Sequence, residues 1–218
     1  MSKVADRLKE ERAQARRDER EKKRAERRQK GPAPAPVDSA ALRPRLLIVC
    51  EGAKTEPNYF ECFPVNKVVV GAGDHTRGLV ERAVQLRDEE GPFTEVWVVM
   101  DRDSFEIEHF NEALARAARE GMQVAYSNQA FEVWYLLHFE YCDSDLDRST
   151  YEERLSGYLK RRYAKNQRDL YTFLESRQAA AIRHAARLLA HHGDTAPVSA
   201  CPSTTVHRLV ERLRALRR

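Results

Sequence analysis

An α/β fold, with a parallel sheet of about four strands flanked by helices and a helical C-terminal portion, is predicted from three observations. Apolar runs alternate with helical patterns from residue 46 to residue 128, turn and cap residues fall between them, and every later segment reads as helix. Strands that are apolar at nearly every position are buried on both faces, and this pattern marks a parallel sheet with helices on either side.

In chain order, LLIVCEG (46–52) reads as a buried strand, TEPNYFECF (55–63) as a short helix, KVVVGAG (67–73) as a second strand and TRGLVERAVQLRDEE (76–90) as an amphipathic helix. EVWVVMD (95–101) is a third strand. SFEIEHFNEALARAARE (104–120) is a long helix with Ser104 as candidate N-cap and Gly121 just past its end, and MQVAYSN (122–128) is a fourth strand. AFEVWYLLHFEY then reads as an apolar helix, followed by helical pieces at 149–163, 167–176, 177–193 and 203–218, with no further strand and no internal repeat.

The 218 residues suffice for one substantial domain with appendages. Residues 1–30 hold 13 Lys and Arg against 7 Asp and Glu and have too few apolar side chains to bury a helix face, so they form a charged tail, helical or disordered. Residues 31–41 contain three prolines and read as an extended linker. The α/β core is assigned to 42–141 and a helical extension packed on it to 142–218. The rest of the chain carries 25 basic and 27 acidic residues, so the overall charge of +4 belongs to the tail.

No run approaches the roughly 18 apolar residues that a membrane helix needs, and the basic N-terminus has no signal-like apolar stretch. The expectation is a cytoplasmic protein with no membrane association. Cys50, Cys62, Cys142 and Cys201 form no CxxC pair and read as reduced thiols.

Ligands of open parallel sheets bind beyond the carboxyl ends of the strands, where loops diverge and helix N-termini point inward. Two acidic clusters fall at that edge: Glu51 after the first strand, and Asp101 with Asp103 after the third. Asp101 and Asp103 share a side of an extended backbone, roughly 6.5 Å apart. Carboxylates converging there resist joint ionisation unless a cation is present. Oxygen ligands with no neighbouring His or Cys favour Mg2+ or Mn2+, which recruit phosphate oxygens.

Lys54 suits a phosphate or a leaving oxygen. Glu56 could be a further ligand or base, but TEP fits a helix start better, with Thr55 as N-cap and Glu56 matching the helix dipole. Glu132 is an acid in an apolar segment, so it either faces a polar site or pairs with a base. His138 reads as a core histidine. YLKRRYAKNQRDLYTF (158–173) mixes five basic and four aromatic residues, which suits phosphate contacts and base stacking on nucleic acid, or a solvated face. VHRLVERLRALRR packs through 206, 209, 210, 213 and 216 and turns its arginines outward as a second basic surface.

LLIVCEGAKTEPNYF, VWVVMDRDSF, YSNQAFEVWYLLHF and CPSTTVHRLVERL, in that order across most of 45–214, resemble the RloB-like proteins, prokaryotic defence-associated members of the Toprim group. The resemblance implies a Toprim-type fold in which a glutamate after the first strand and a DxD after a later one hold Mg2+ for work on nucleic-acid phosphodiesters. Glu51, Asp101 and Asp103 match those positions. The family pattern near the fourth strand is similar to SNPCFExWLLLHF; here Gln129 and Ala130 replace Pro-Cys, and Glu132 is retained.

The expected activity is that of a Mg2+- or Mn2+-dependent nuclease on DNA or RNA, tRNA included. Glu51, Asp101 and Asp103 hold the metal, Glu132 completes the site, and Lys54 neutralises the scissile phosphate. The resemblance further implies an effector of an anti-phage module with an AAA- or ABC-type ATPase partner, and a homo-oligomer is compatible with it. The rival expectation is an inactive or regulatory module that binds nucleic acid or protein. A DxD phosphatase fits less well, because its nucleophilic aspartate belongs where this chain has Glu51.

Overall fold

Five strands form one sheet in the order β2-β1-β3-β4-β5, of which the first four to appear in the chain run parallel. The computed structural model describes residues 44–73, 78–102, 106–167 and 169–217. The charged tail (1–30) and the linker (31–41) lie outside them, as do Asp103 and Ser104. Residues from Pro44 onward form one compact unit.

β1 (Leu46–Cys50) is the centre of the fold, and all five of its side chains are fully buried. Side chains alternate along a strand, so Leu46, Ile48 and Cys50 enter one core while Leu47 and Val49 enter the other. Complete burial of such side chains is worth about 1.5–3 kcal/mol each, which is why an uninterrupted apolar run can hold a central position.

One face is covered by α2 (Leu79–Glu90) and α3 (Ile107–Arg119), whose Val80, Ala83, Leu86, Phe110 and Ala117 meet Val98 and Met100 of β3 (Glu95–Asp101). α3 starts at Ile107 with Glu106 as N-cap, and it stops where Gly121 takes φ 70° just beyond its end, as predicted for that glycine. The opposite face is covered by α1 (Thr55–Glu61) and by the C-terminal helices α4 (Glu132–Leu136), α5 (Arg148–Leu159), α6 (Leu170–Glu175), α7 (Gln178–His192) and α8 (Val206–Leu216). The segment expected as one long apolar helix is helical over Glu132–Leu136, and those five residues are all buried.

The edges differ from the expectation of about four strands. β2 (Lys67–Gly71) is a half-buried edge paired with β1. The other edge is β5 (Ser203–Thr204), which runs antiparallel to β4 (Gln123–Asn128) and was expected to be the start of a helix. The reason lies in its hydroxyls. Thr204 Oγ1 donates to the Tyr126 carbonyl at 3.0 Å, lies 3.1 Å from Ser127 Oγ and accepts the Val206 N–H at 3.2 Å, while Thr205 Oγ1 accepts the Tyr126 N–H at 2.9 Å. These bonds satisfy the groups that an exposed strand edge would leave open.

The two basic surfaces also differ from expectation. α8 buries Val206, Leu209, Val210 and Leu213 as predicted, but Arg212 is paired with Glu95 and Arg217 with Glu175. In 158–173, Tyr163 and Tyr171 belong to the core, and Tyr158 stacks on Phe139 with ring centroids 4.8 Å apart. Tyr163 and Tyr171 are therefore closed to base stacking, while Tyr158 and Phe173 remain exposed. Its helix ends at Leu159, because Lys160 adopts a left-handed conformation at φ 55°.

Candidate functional site

β2 and β3 flank β1 on opposite sides, so the loops leaving β1 and β3 part in opposite directions and open a crevice at their carboxyl ends. Glu51 leaves β1 there, and its N–H donates to the Val99 carbonyl at 2.9 Å. Asp101 ends β3, and its N–H donates to Glu51 Oε2 at 3.0 Å. Glu132 follows β4, the next strand across, as the first residue of α4. Acids from three adjacent strand ends thus line one cavity of about 520 Å3, together with Lys54, Glu56, Arg148 and Lys165.

Of the residues predicted for the site, Glu51, Lys54, Asp101 and Glu132 are brought together here. Asp103 lies outside the described residues.

Gly52 and Gly71 make the turn after β1 possible. A Cβ on Gly52 would stand 2.1 Å from Glu56 Oε2, and one on Gly71 would stand 2.7 Å from the Gly52 carbonyl oxygen. The chain after Glu51 therefore packs tightly enough to fold Glu56 back beneath the cavity. Glu56 is only 5% exposed, and its Oε2 has no hydrogen-bond partner among the described residues. Burial pushes its carboxyl from the ordinary 4.5 up to about 7, with Glu132 and Glu51 adding to the rise.

Glu56 does lie in the first turn of α1, as the helix-start reading required, but a buried oxygen without a partner is not explained by a dipole contact. The expected Thr55 cap is absent. Lys54 occupies the N-cap position without a side-chain cap bond, and Thr55 Oγ1 donates to the Lys165 carbonyl at 3.0 Å. The 160s loop lies close enough to offer that acceptor.

Both alternatives for Glu132 hold. It is 2% exposed, it accepts from Tyr163 Oη at 3.1 Å, and it has Arg148 Nε at 3.8 Å and Lys165 Nζ at 4.0 Å. Arg148 also reaches Asp101 Oδ2 at 3.3 Å. His138 is a core residue as expected: its Nδ1 lies 2.9 Å from the Trp134 carbonyl and burial lowers it to about 3. All four cysteines are free thiols.

The donor chemistry suits a hard divalent cation. Among the described residues the cavity lining offers carboxylate, hydroxyl and amide oxygens and contains no His or Cys. Among the same residues no three His, Cys, Asp or Glu side chains stand together closely enough to hold an ion. Glu51 and Asp101 meet through the Asp101 N–H, and Glu56 Oε2, without a hydrogen-bond partner among the described residues, belongs to the same cavity.

Sequence reasoning missed Arg148 and the core position of Tyr163, named Lys165 only among the basic residues of 158–173, and ranked the helix-start role of Glu56 above a role in the site. The first three come from the C-terminal half, and nothing local in that segment indicates a contact with the strand ends. For Glu56 a signal existed: an acid five residues after another, with a glycine between, implies a chain turning back on itself.

The fold and site together define an α/β protein with an acidic cavity at the switch point of its sheet. The chain belongs to the RloB-like family, whose model matches residues 46–213. Comparison with curated proteins and with solved structures finds no match. Among the described residues no helix is long and apolar enough to cross a membrane.

Proposed function

We propose that this RloB-like protein is a divalent-metal-dependent nuclease that hydrolyses nucleic-acid phosphodiesters, with a Toprim-type site formed by Glu51, Asp101, Asp103 and Glu132. The observation that carries this reading is the meeting of Glu51 and Asp101, 50 residues apart in sequence, through the 3.0 Å bond from the Asp101 N–H. Two acids that line one cavity at a sheet switch point, with a third acid from the neighbouring strand end, concentrate negative charge that a cation would neutralise.

Glu51 and Asp101 would hold Mg2+ or Mn2+, with Glu132 and Asp103 completing the set. Such an ion, when bound, polarises a phosphoryl oxygen and acidifies a water. The chain's own groups do the rest: Lys54, exposed on the rim, neutralises phosphate charge, and Tyr163 fixes the Glu132 carboxylate by its hydrogen bond. Work as an effector in anti-phage defence beside an ATPase partner, in the cytoplasm, follows from the family resemblance and is part of the same proposal.

One observation favours the rival reading of a binding or regulatory module: Arg148 lies against Asp101 and Glu132, a cation already at the acids. Incubating the full chain with single- and double-stranded DNA, RNA and tRNA in Mg2+, Mn2+ or EDTA separates the two. Cleavage in metal, lost in EDTA and in Asp101→Ala, is the expected result. Cleavage that survives in Asp101→Ala refutes the site. Binding without cleavage, with and without an ATPase partner, establishes the rival reading.

A further inference from the structure

Two basic side chains from the C-terminal half are carried to a cavity whose floor is acidic. Arg148 is the first residue of α5, and Lys165 lies in the loop between α5 and α6. A cation in the first turn of a helix opposes the helix dipole, so local helix preference does not account for Arg148. The backbone around Lys165 is pinned: Thr55 Oγ1 donates to its carbonyl at 3.0 Å, and the Tyr163 N–H donates to Ser156 Oγ at 2.9 Å.

The Arg148 head bonds Asp101, whereas the Lys165 head stands off from the acids. The Lys165 side chain is 47% exposed; its Nζ makes no hydrogen bond among the described residues, and Glu132 Oε1 is 4.0 Å away. The Arg148 side chain is 38% exposed and lies 3.3 Å from Asp101 and 3.8 Å from Glu132. Charge-assisted N–H···O bonds measure about 2.7–2.9 Å. A lysine whose role was to neutralise a buried Glu132 would close to that distance. Lys165 instead lies at the mouth, beside the partly exposed Arg148 and the exposed Lys54.

We propose that Arg148 and Lys165 form a phosphate clamp that holds the backbone of a nucleic-acid strand over the acidic floor; the choice of nucleic acid as ligand rests on the nuclease reading. A strand entering this cavity meets carboxylates of its own sign, and cations on the rim offset that repulsion. The guanidinium fork takes two phosphate oxygens, and the ammonium acts as a point charge beside it. Both are binding and positioning residues, and they divide the site into an acidic floor for metal and a basic rim for substrate.

The test measures binding without cleavage. Fluorescence anisotropy of a labelled single-stranded RNA of about 20 nucleotides, and of the matching DNA, is followed in EDTA across a salt series. Each lost phosphate contact on a single strand reduces the slope of log K against log salt by about 0.7. Lys165→Gln, at a half-exposed side chain with no hydrogen bond, is expected to fold normally and to lose one such step. The double variant with Arg148→Gln loses about two, and its Kd rises about tenfold at physiological salt, a step of about 1.4 kcal/mol. Arg183→Gln, at an exposed position on α7, is the control and keeps the wild-type slope.

Unchanged slopes in both clamp variants, an equal loss in the control, or no binding by the wild type overturns the clamp. Binding through Arg148 and Lys165 by a protein that cuts nothing keeps the clamp and ends the nuclease reading. Cleavage with unchanged slopes does the reverse.

Discussion

Replacing Glu56 by glutamine isolates the consequence of burying a carboxyl beneath the cavity. Its pKa lies near 7 in the folded chain because burial disfavours the charged form, against an ordinary 4.5. Below pH 4.5 both folded and unfolded chains hold the proton, and Glu56 costs nothing. Above it the unfolded chain releases the proton while the folded chain keeps it, so folding loses stability until about pH 7 and no further beyond. At about 1.36 kcal/mol per pH unit, the full penalty is about 3 kcal/mol.

His138 and His207, lowered by burial from 6.5 to about 3 and about 4, pull the other way, since their unfolded forms take up protons as pH falls. Both remain in the variant, so the difference between Glu56→Gln and wild type reports Glu56. Urea unfolding in EDTA, followed through the buried Trp97 and Trp134, supplies that difference at each pH. The stability of the variant relative to wild type is expected to rise by about 3 kcal/mol between pH 4.5 and 7 and to level off above. A difference that stays constant across that range would refute the reasoning.

Gly71→Ala is expected to destabilise the fold more than Gly52→Ala. The new Cβ at 71 meets backbone atoms of Gly52 and Ala53 at 2.7–2.9 Å, and overpacking of that kind costs about 1–3 kcal/mol. The clash at Gly52 is with the Glu56 carboxyl alone, so adding Glu56→Ala to Gly52→Ala recovers stability, as chemical unfolding of the four proteins will show. Thr204→Val keeps the shape of β5 and leaves the Tyr126 carbonyl its bond from the Thr205 N–H, but takes the partner from the Val206 N–H, a loss of about 1–3 kcal/mol with faster amide exchange at Val206. Mn2+ at a hundred times its Kd is expected to raise stability by about 2.7 kcal/mol, and Asp101→Ala or Glu51→Gln to remove that gain in thermal unfolding; an undiminished gain in both variants moves the metal elsewhere.

Most of the parallel sheet was legible because its signals are local. β1 needs only its own five apolar residues to declare burial on both faces, and Gly121 marks the end of α3 by the conformation it can adopt. β5 was illegible for the opposite reason: Ser203 and Thr204 have no apolar pattern, and what makes them a strand is hydroxyl bonding to Tyr126 and Ser127 far upstream. Two of the four aromatics of 158–173 misled in the same way, since composition does not distinguish the exposed Tyr158 and Phe173 from Tyr163 and Tyr171 in the core.

For the site, the sequence by itself determined that acids stand at the ends of strands, because a carboxylate closing an apolar run has few other places to go. Glu51 and Asp101 were visible on that ground and Glu132 as an acid inside an apolar segment, and four ordered motif blocks pointed to the RloB-like family that the match over 46–213 shows. Only the tertiary structure decided that β1 lies between β2 and β3, which brings Glu51 to Asp101, and that Arg148, Tyr163 and Lys165 arrive from the other half of the chain. Strand order and long-range docking are settled by how whole faces pack, and one linear segment does not carry that information.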